Sequence, residues 1–192
     1  MKTLKMLSLG TAVLLGSSLA MAAPVSYQID PAHTATVFSW NHFGFSNPSA
    51  NFSKVQGTIQ VDEKNPAKSS VTVTIPVNSV NSNVAALDKE FLADEWFNEG
   101  KYPNITFKST KVETKDKKHF KITGDLTVKG VTKLVVLDAT LNGMGEHPMA
   151  KKPAIGFNAT TSFKRSDFGI KQYIPAVSDE IKVNITTEAL AK

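Results

Sequence analysis

The chain has 192 residues, 22 Lys and Arg against 17 Asp and Glu, no cysteine and a formal charge of +5. Without cysteine there is no disulfide framework, thiolate metal site or cysteine nucleophile, so the fold rests on packing and hydrogen bonds. The lysines are scattered among threonines rather than gathered in a stripe, which argues against a nucleic-acid partner and leaves at most transient contact with an anionic membrane surface.

Residues 1–22 read as an export signal. Lys2 and Lys5 open it, "MLSLGTAVLLG" is its apolar stretch, and "AMA" supplies small residues for cleavage before Ala23. The apolar run is too short and too broken by Gly and Ser for a membrane span. Two lysines leave with this leader, so the expected mature domain, residues 23–192, carries +3. Its expected location is a bacterial periplasm, and its length suits one domain with a substantial core.

The first mature element is "DPAHTATVFSWNHFGF" (30–45), read as a strand whose even face carries Thr34, Thr36, Phe38, Trp40 and His42. Next come "VQGTIQV" (55–61) and "VTVTIPV" (71–77), which alternate apolar with polar residues. Such a period of two, rich in β-branched residues, predicts strands buried on one face. "NSNVAALDKEFLADEWFNEG" (81–100) departs from it: Leu87, Phe91, Leu92 and Trp96 recur at helical intervals, predicting a short helical insertion near residues 84–99. Its carboxylates read as the wet face of that insertion. Alternation resumes weakly at 104–112, strongly in "FKITGDLTV" (120–128), weakly at 131–141 and 155–163, and strongly in "IKVNIT" (181–186). About eight half-buried strands predict an all-β domain, a closed antiparallel barrel or a two-sheet sandwich. Strand length and local connections favour the eight-stranded barrel, whose interior holds side chains or one slender ligand.

The candidate sites separate by spacing. His33 and His42 are nine residues apart, on opposite faces of an ideal strand, and no HxxxH or HExxH occurs, so no metal site is expected and hydrogen-bonded structural histidines are. No GxSxG or SxxK supplies a serine nucleophile. The aromatics on the apolar faces carry two readings, an ordinary barrel core or a lumen lined with rings around a long apolar ligand. An outer-membrane barrel would need an apolar outer belt, whereas the clearest strands carry Thr, Lys, Gln and Asn on one face.

Several segments resemble, in order, the YceI-like family of exported bacterial lipid-binding proteins: "IDPAHTATVFSWNHFGFS", "VNSVNSNVAALDKEFLADEWFNEGKYPNITFKST", "ITGDLTVKGVTKLVVLDATL", "FKRSDFGI" and "VSDEIKVNI". The resemblance implies a lipocalin-like barrel with a helical insertion, often dimeric, so a homodimer is an admissible state. It also implies a polyisoprenoid ligand, such as an isoprenoid quinone or prenyl pyrophosphate, and no other cofactor. On that footing Phe38, Trp40, Phe107, Phe120, Ile122, Leu126, Phe157 and Val183 line the tunnel, and His42 is the polar member that orients a head group. Phe91, Trp96 and Phe97 mark the mouth, with the insertion or the loop "NGMGEHPMAKKP" as its gate. Arg165 in "KRSDFG" is expected to hold its turn, through Asp167 or a nearby carbonyl. The reading is a periplasmic carrier; the alternative is a lipid-directed hydrolase or isomerase in the same tunnel.

Overall fold

In the computed structural model, whose described residues are 24–192, the alternating segments join one antiparallel sheet of eleven strands. The export signal expected over residues 1–22 lies outside the described residues. In chain order the elements are β1 (Val25–Ile29), β2 (Ala35–Ser39), β3 (Ser49–Phe52), β4 (Gln56–Val61), β5 (Ser70–Pro76) and β6 (Val80–Asn81). After them come α1 (Ala85–Leu92), β7 (Asn104–Thr114), β8 (His119–Val128), β9 (Val131–Glu146), β10 (Pro153–Lys164) and β11 (Glu180–Ala191).

Eight of these strands close into a barrel in the order β1-β4-β5-β7-β8-β9-β10-β11, and β11 returns to β1 with Tyr27 opposite Ala191. Closure leaves the barrel without a free edge. The remaining three strands lengthen one wall. β2 pairs with the other half of β11 (Phe38 opposite Val183), β3 with β2, and β6 with β3.

This doubling follows from where the chain breaks. The segment expected as one strand over 30–45 holds only β2, with Trp40 and His42 beyond its end and β1 finished before it begins, because Pro31 cannot donate to a ladder. A 3₁₀ turn forms at Pro31–His33, and Asp30 caps it by accepting from the Ala32 N–H at 2.9 Å. Pro76 similarly ends β5 before the Val77–Ser79 turn, where the Ser79 hydroxyl donates to the Pro76 carbonyl at 2.7 Å.

Inward and outward faces follow the sequence alternation. Phe120, Ile122, Leu126 and Val128 face the interior, while Lys121 and Asp125 between them are exposed. Two irregularities in pairing keep apolar residues inward where simple alternation would turn them out. One, between Ser109 and Lys111, brings Val112 to the face that Ile105 and Phe107 occupy. The other, opposite Gly156 and Phe157, lets both Leu141 and Met144 face in.

Two sequence expectations need correction. The helical part of the insertion is only Ala85–Leu92, because Ala93 leaves the helix in an extended conformation and the chain folds back. The Phe97 N–H then reaches the Phe91 carbonyl at 3.0 Å, and Asn98 takes a left-handed φ of 51°. Packing of Trp96 and Phe97 against Phe91 outweighs continuing the helix. The loop expected over 142–153 is also half strand: β9 runs to Glu146 and β10 begins at Pro153. Gly143 and Gly145, read as loop residues, are held in the ladder opposite Gly156 and Ala154.

Candidate functional site: a cavity along the barrel

A cavity of about 560 Å³ occupies the barrel interior. That is mid-range for a small-molecule site and has room for roughly twenty water-sized groups. It reaches from the end where the β2–β3 turn lies, called upper here, to the end that carries both described termini. His42, Glu90, Trp96 and Tyr173 line its upper end, and Asp62, Glu63, Lys117 and Met144 its lower end. Between them the wall is almost wholly aliphatic and aromatic, with a few threonines.

All nine residues assigned to the tunnel from sequence lie on this wall: Phe38, Trp40, His42, Phe107, Phe120, Ile122, Leu126, Phe157 and Val183. Phe120, Ile122, Leu126 and Phe157 are only half-buried although they point inward. Side chains in a filled core would be covered on every side; here the lumen leaves their inner faces bare. That separates the two readings of the aromatics in favour of a lumen.

The upper half is narrowed by rings. Phe38 lies 5.8 Å from Trp40, 5.3 Å from Phe52 and 5.7 Å from Phe91, measured between centroids. Trp40 and Phe91 meet edge to face at 5.7 Å and 90°. Such pairs add about 0.5–1.5 kcal/mol each beyond area burial, so the cluster is a firm support. Phe91, assigned to the mouth, is 3% exposed and packs beneath it. Trp96 and Phe97 are half-buried above it, and the Trp96 indole N–H donates to Glu90 at 3.1 Å. His42 stands at the rim, exposed, with its ring edge-on to Phe43 at 4.4 Å.

Arg165 borders the upper cavity yet is 4% exposed. Its Nε donates to the Ser178 carbonyl (2.9 Å), one terminal nitrogen to Ile170 (3.3 Å) and the other to Gln172 (2.7 Å) and Val177 (3.0 Å). Trp96 covers the guanidinium at 5.5 Å. Burial pulls its pKa below the ordinary value, against the opposing pull of the Asp179 carboxylate. Asp167 takes no part in these bonds. The acid that fixes the turn is Asp179, which accepts from the Ser166 N–H and hydroxyl at 2.9 and 2.8 Å.

At the lower end sequence reasoning singled out only the 142–153 loop, which contributes Met144, and missed Asp62, Glu63 and Lys117. The Lys117 ammonium donates to the Glu63 carbonyl at 3.1 Å and ties two turns across it. Both residues lie in exposed polar turns, so no local pattern marks them as cavity wall. Tyr173 was missed for the same reason.

The YceI-like domain family matches residues 27–189. A protein of Escherichia coli O157:H7 named YceI is 41% identical over 175 residues, covering 90% of this chain and 91% of that protein. The crystal structure of a Campylobacter jejuni YceI protein superposes with a TM-score of 0.70 at 36% identity, covering 79% of this chain and 90% of the other. A Saccharophagus degradans domain described as polyisoprenoid binding, and implicated in plant cell wall breakdown, shares the fold at TM-score 0.68 and 13% identity. It covers 88% of this chain and 99% of that one.

Proposed function

Because the chain belongs to the YceI-like family, we propose that it is a periplasmic carrier that holds one long-chain isoprenoid lipid, a quinone or a prenyl pyrophosphate, in its barrel. The observation that carries this reading is the cavity itself: apolar along its length, polar only towards its ends, and large enough for a chain of many carbons. Each buried methylene-sized group contributes about 0.8 kcal/mol. Ten such groups give roughly 8 kcal/mol gross, the scale of a micromolar Kd before ordering costs.

The tail therefore sets affinity and the ends set orientation. His42 is the orienting contact in this reading, since it combines a place on the wall with access to water. Arg165 contributes little to a head group because its donors are engaged by backbone carbonyls. The leader read in residues 1–22 supplies export.

Mass spectrometry of the organic extract from gently purified protein tests the reading. A single class of isoprenoid, stoichiometric with protein, is expected. An extract free of lipid, together with no uptake of added isoprenoid quinone or prenyl pyrophosphate, defeats it. Turnover of the added lipid would instead favour the enzyme alternative.

A further inference from the structure

The barrel closes where β1 meets β11, and there the fold assembles a cluster that the lipid site does not use. Asp30 ends β1, His33 ends the turn that follows, and Glu188 lies on β11, whose carbonyl at 188 accepts the Asp30 N–H at 2.9 Å. Thr187 faces the cavity, so its neighbour Glu188 faces outward, towards Asp30 and His33. One nitrogen of His33 and one carboxylate oxygen each from Asp30 and Glu188 lie within 4.8 Å of one another.

Each member is held by something else. The Asp30 Oδ1 atom is fixed by the Ala32 N–H, which leaves Oδ2 facing the His33 Nδ1 at 2.8 Å. Glu188 shows the imbalance. Its Oε1 atom is shut off from solvent and has no hydrogen-bond partner. His147 Nε2 stands 3.2 Å away, within ion-pair distance, but is misaligned for a hydrogen bond. His147 is itself committed, because its Nδ1 accepts from the Met149 and Ala150 N–H groups at 3.2 and 3.0 Å. That places its proton on Nε2 when neutral, so His147 steadies Glu188 from outside rather than offering a lone pair. A buried carboxylate oxygen whose neighbouring donor is misaligned is a costly arrangement unless a cation completes it.

We infer that Asp30, His33 and Glu188 form a binding site for a divalent transition-metal ion of the zinc class. One imidazole and two carboxylates suit that class, and no thiolate is present to draw softer ions. Metal bonds of about 2.0–2.2 Å at a tetrahedral angle set donors about 3.3–3.6 Å apart, so atoms now as much as 4.8 Å apart draw in by about 1 Å and the Asp30–His33 pair, now at 2.8 Å, opens to admit the ion. The ion takes the imidazole lone pair, any proton on that nitrogen leaves to solvent, and water fills the fourth position. Bound there, it staples the break between β1 and β2 to β11, across the barrel's closing seam.

A matched control exists in the same chain. Asp116 and His119 repeat the Asp-x-x-His pairing, with Nδ1 to Oδ2 at 2.6 Å, but among the described residues no third ligand completes a trio there. Titration calorimetry of the untagged, full mature chain with zinc, and with magnesium for comparison, tests the inference. One zinc site is expected, with magnesium far weaker, and zinc should raise the melting temperature. His33→Gln and Glu188→Gln should each weaken zinc by at least about tenfold to hundredfold, the range that even outer-shell changes produce, while His119→Gln leaves it unchanged. In case a variant folds poorly, the native protein gives a second reading: zinc should shift the His33 ring resonances and spare those of His119. Equal loss in His119→Gln, equal affinity for magnesium, or zinc binding that survives both His33→Gln and Glu188→Gln overturns the inference.

Discussion

A buried guanidinium is costly unless its donors find acceptors, and four of the hydrogen bonds from Arg165 end on carbonyls of the 170–178 segment. The side chain therefore shapes the loop that forms part of the upper rim. Arg165→Gln removes the fork and leaves carbonyls unpaired, which should cost about 3 kcal/mol or more. For a domain of this size that is a fall in melting temperature of about 6–12 °C. The ratio of affinities for charged and neutral isoprenoids should not change; a selective loss of the pyrophosphate ligand would instead make Arg165 a head-group contact. Arg165→Lys should not rescue stability, because an ammonium cannot serve the same carbonyls in a plane. The neighbouring Asp179 gives the turn a pH dependence. Burial pushes its carboxyl up, but the N–H and O–H of Ser166, with Lys164 and Arg165 nearby, outweigh this and hold it below its ordinary value of 3.8. A carboxyl depressed in the folded state stabilises above its ordinary pKa and loses that contribution as pH falls through the folded value. The urea midpoint should therefore drop more steeply below about pH 4 in the native protein than in Asp179→Asn, with parallel curves near neutrality. Identical acid limbs would show that Asp179 contributes no such linkage.

Strands carry most of what could be read in advance, and the reason is visible in β5. Val71, Val73 and Ile75 all face the cavity, so their period is dictated by a single buried face. That the strand expected over 30–45 starts only at Ala35 was legible in principle at Pro31, which lies inside the expected range. The early end of the helix and the lengthened β9 and β10 were not legible, since each depends on contacts outside the local pattern: Phe97 on Phe91, and glycines held by a partner strand. The trio at Asp30, His33 and Glu188 escaped for the same reason. It exists only through the pairing of β1 with β11, and spacing directed attention to His33 with His42 instead. Gly124 offers a test of packing at this scale. It lies on the inward row of β8, and an added Cβ would meet the Phe107 ring at 2.4 Å and the Lys108 carbonyl at 2.6 Å. The glycine thus makes the recess in which Phe107 lies. Gly124→Ala should lower stability by about 1–3 kcal/mol, read as the urea midpoint, and should weaken lipid uptake by driving the ring into the lumen. An unchanged midpoint would mean that the ring moves aside freely and that the recess is unimportant.

Across the whole molecule, the barrel wall surrounds a cavity rather than a filled core. Its eight strands bring enough inward aliphatic and aromatic side chains for a compact core, yet several keep bare faces towards a continuous lumen. Small side chains help to keep it open. Ala139 and Ala159 lie directly opposite each other on β9 and β10, both face the cavity, and both are buried. Phe120 and Phe157 meet edge to face at 5.9 Å nearby, so a ring placed at 159 would enter space bounded by other rings. If the lumen holds a lipid tail, Ala159→Phe obstructs it partway along. Losing contact with four or five carbons removes roughly 3–4 kcal/mol of gross stabilisation at about 0.8 kcal/mol each, or about two to three orders of magnitude in affinity. The ligand-free protein should change little in melting temperature, or gain slightly, because the new ring fills a void rather than displacing packed atoms. The extract of Ala159→Phe should then contain little lipid or only shorter chains, and titration with isoprenoids of graded length should show affinity that stops rising with length sooner than in the native protein. A native lipid profile and an unchanged length dependence, in a variant with a native melting temperature, would place the tail outside this part of the barrel and overturn the tunnel reading.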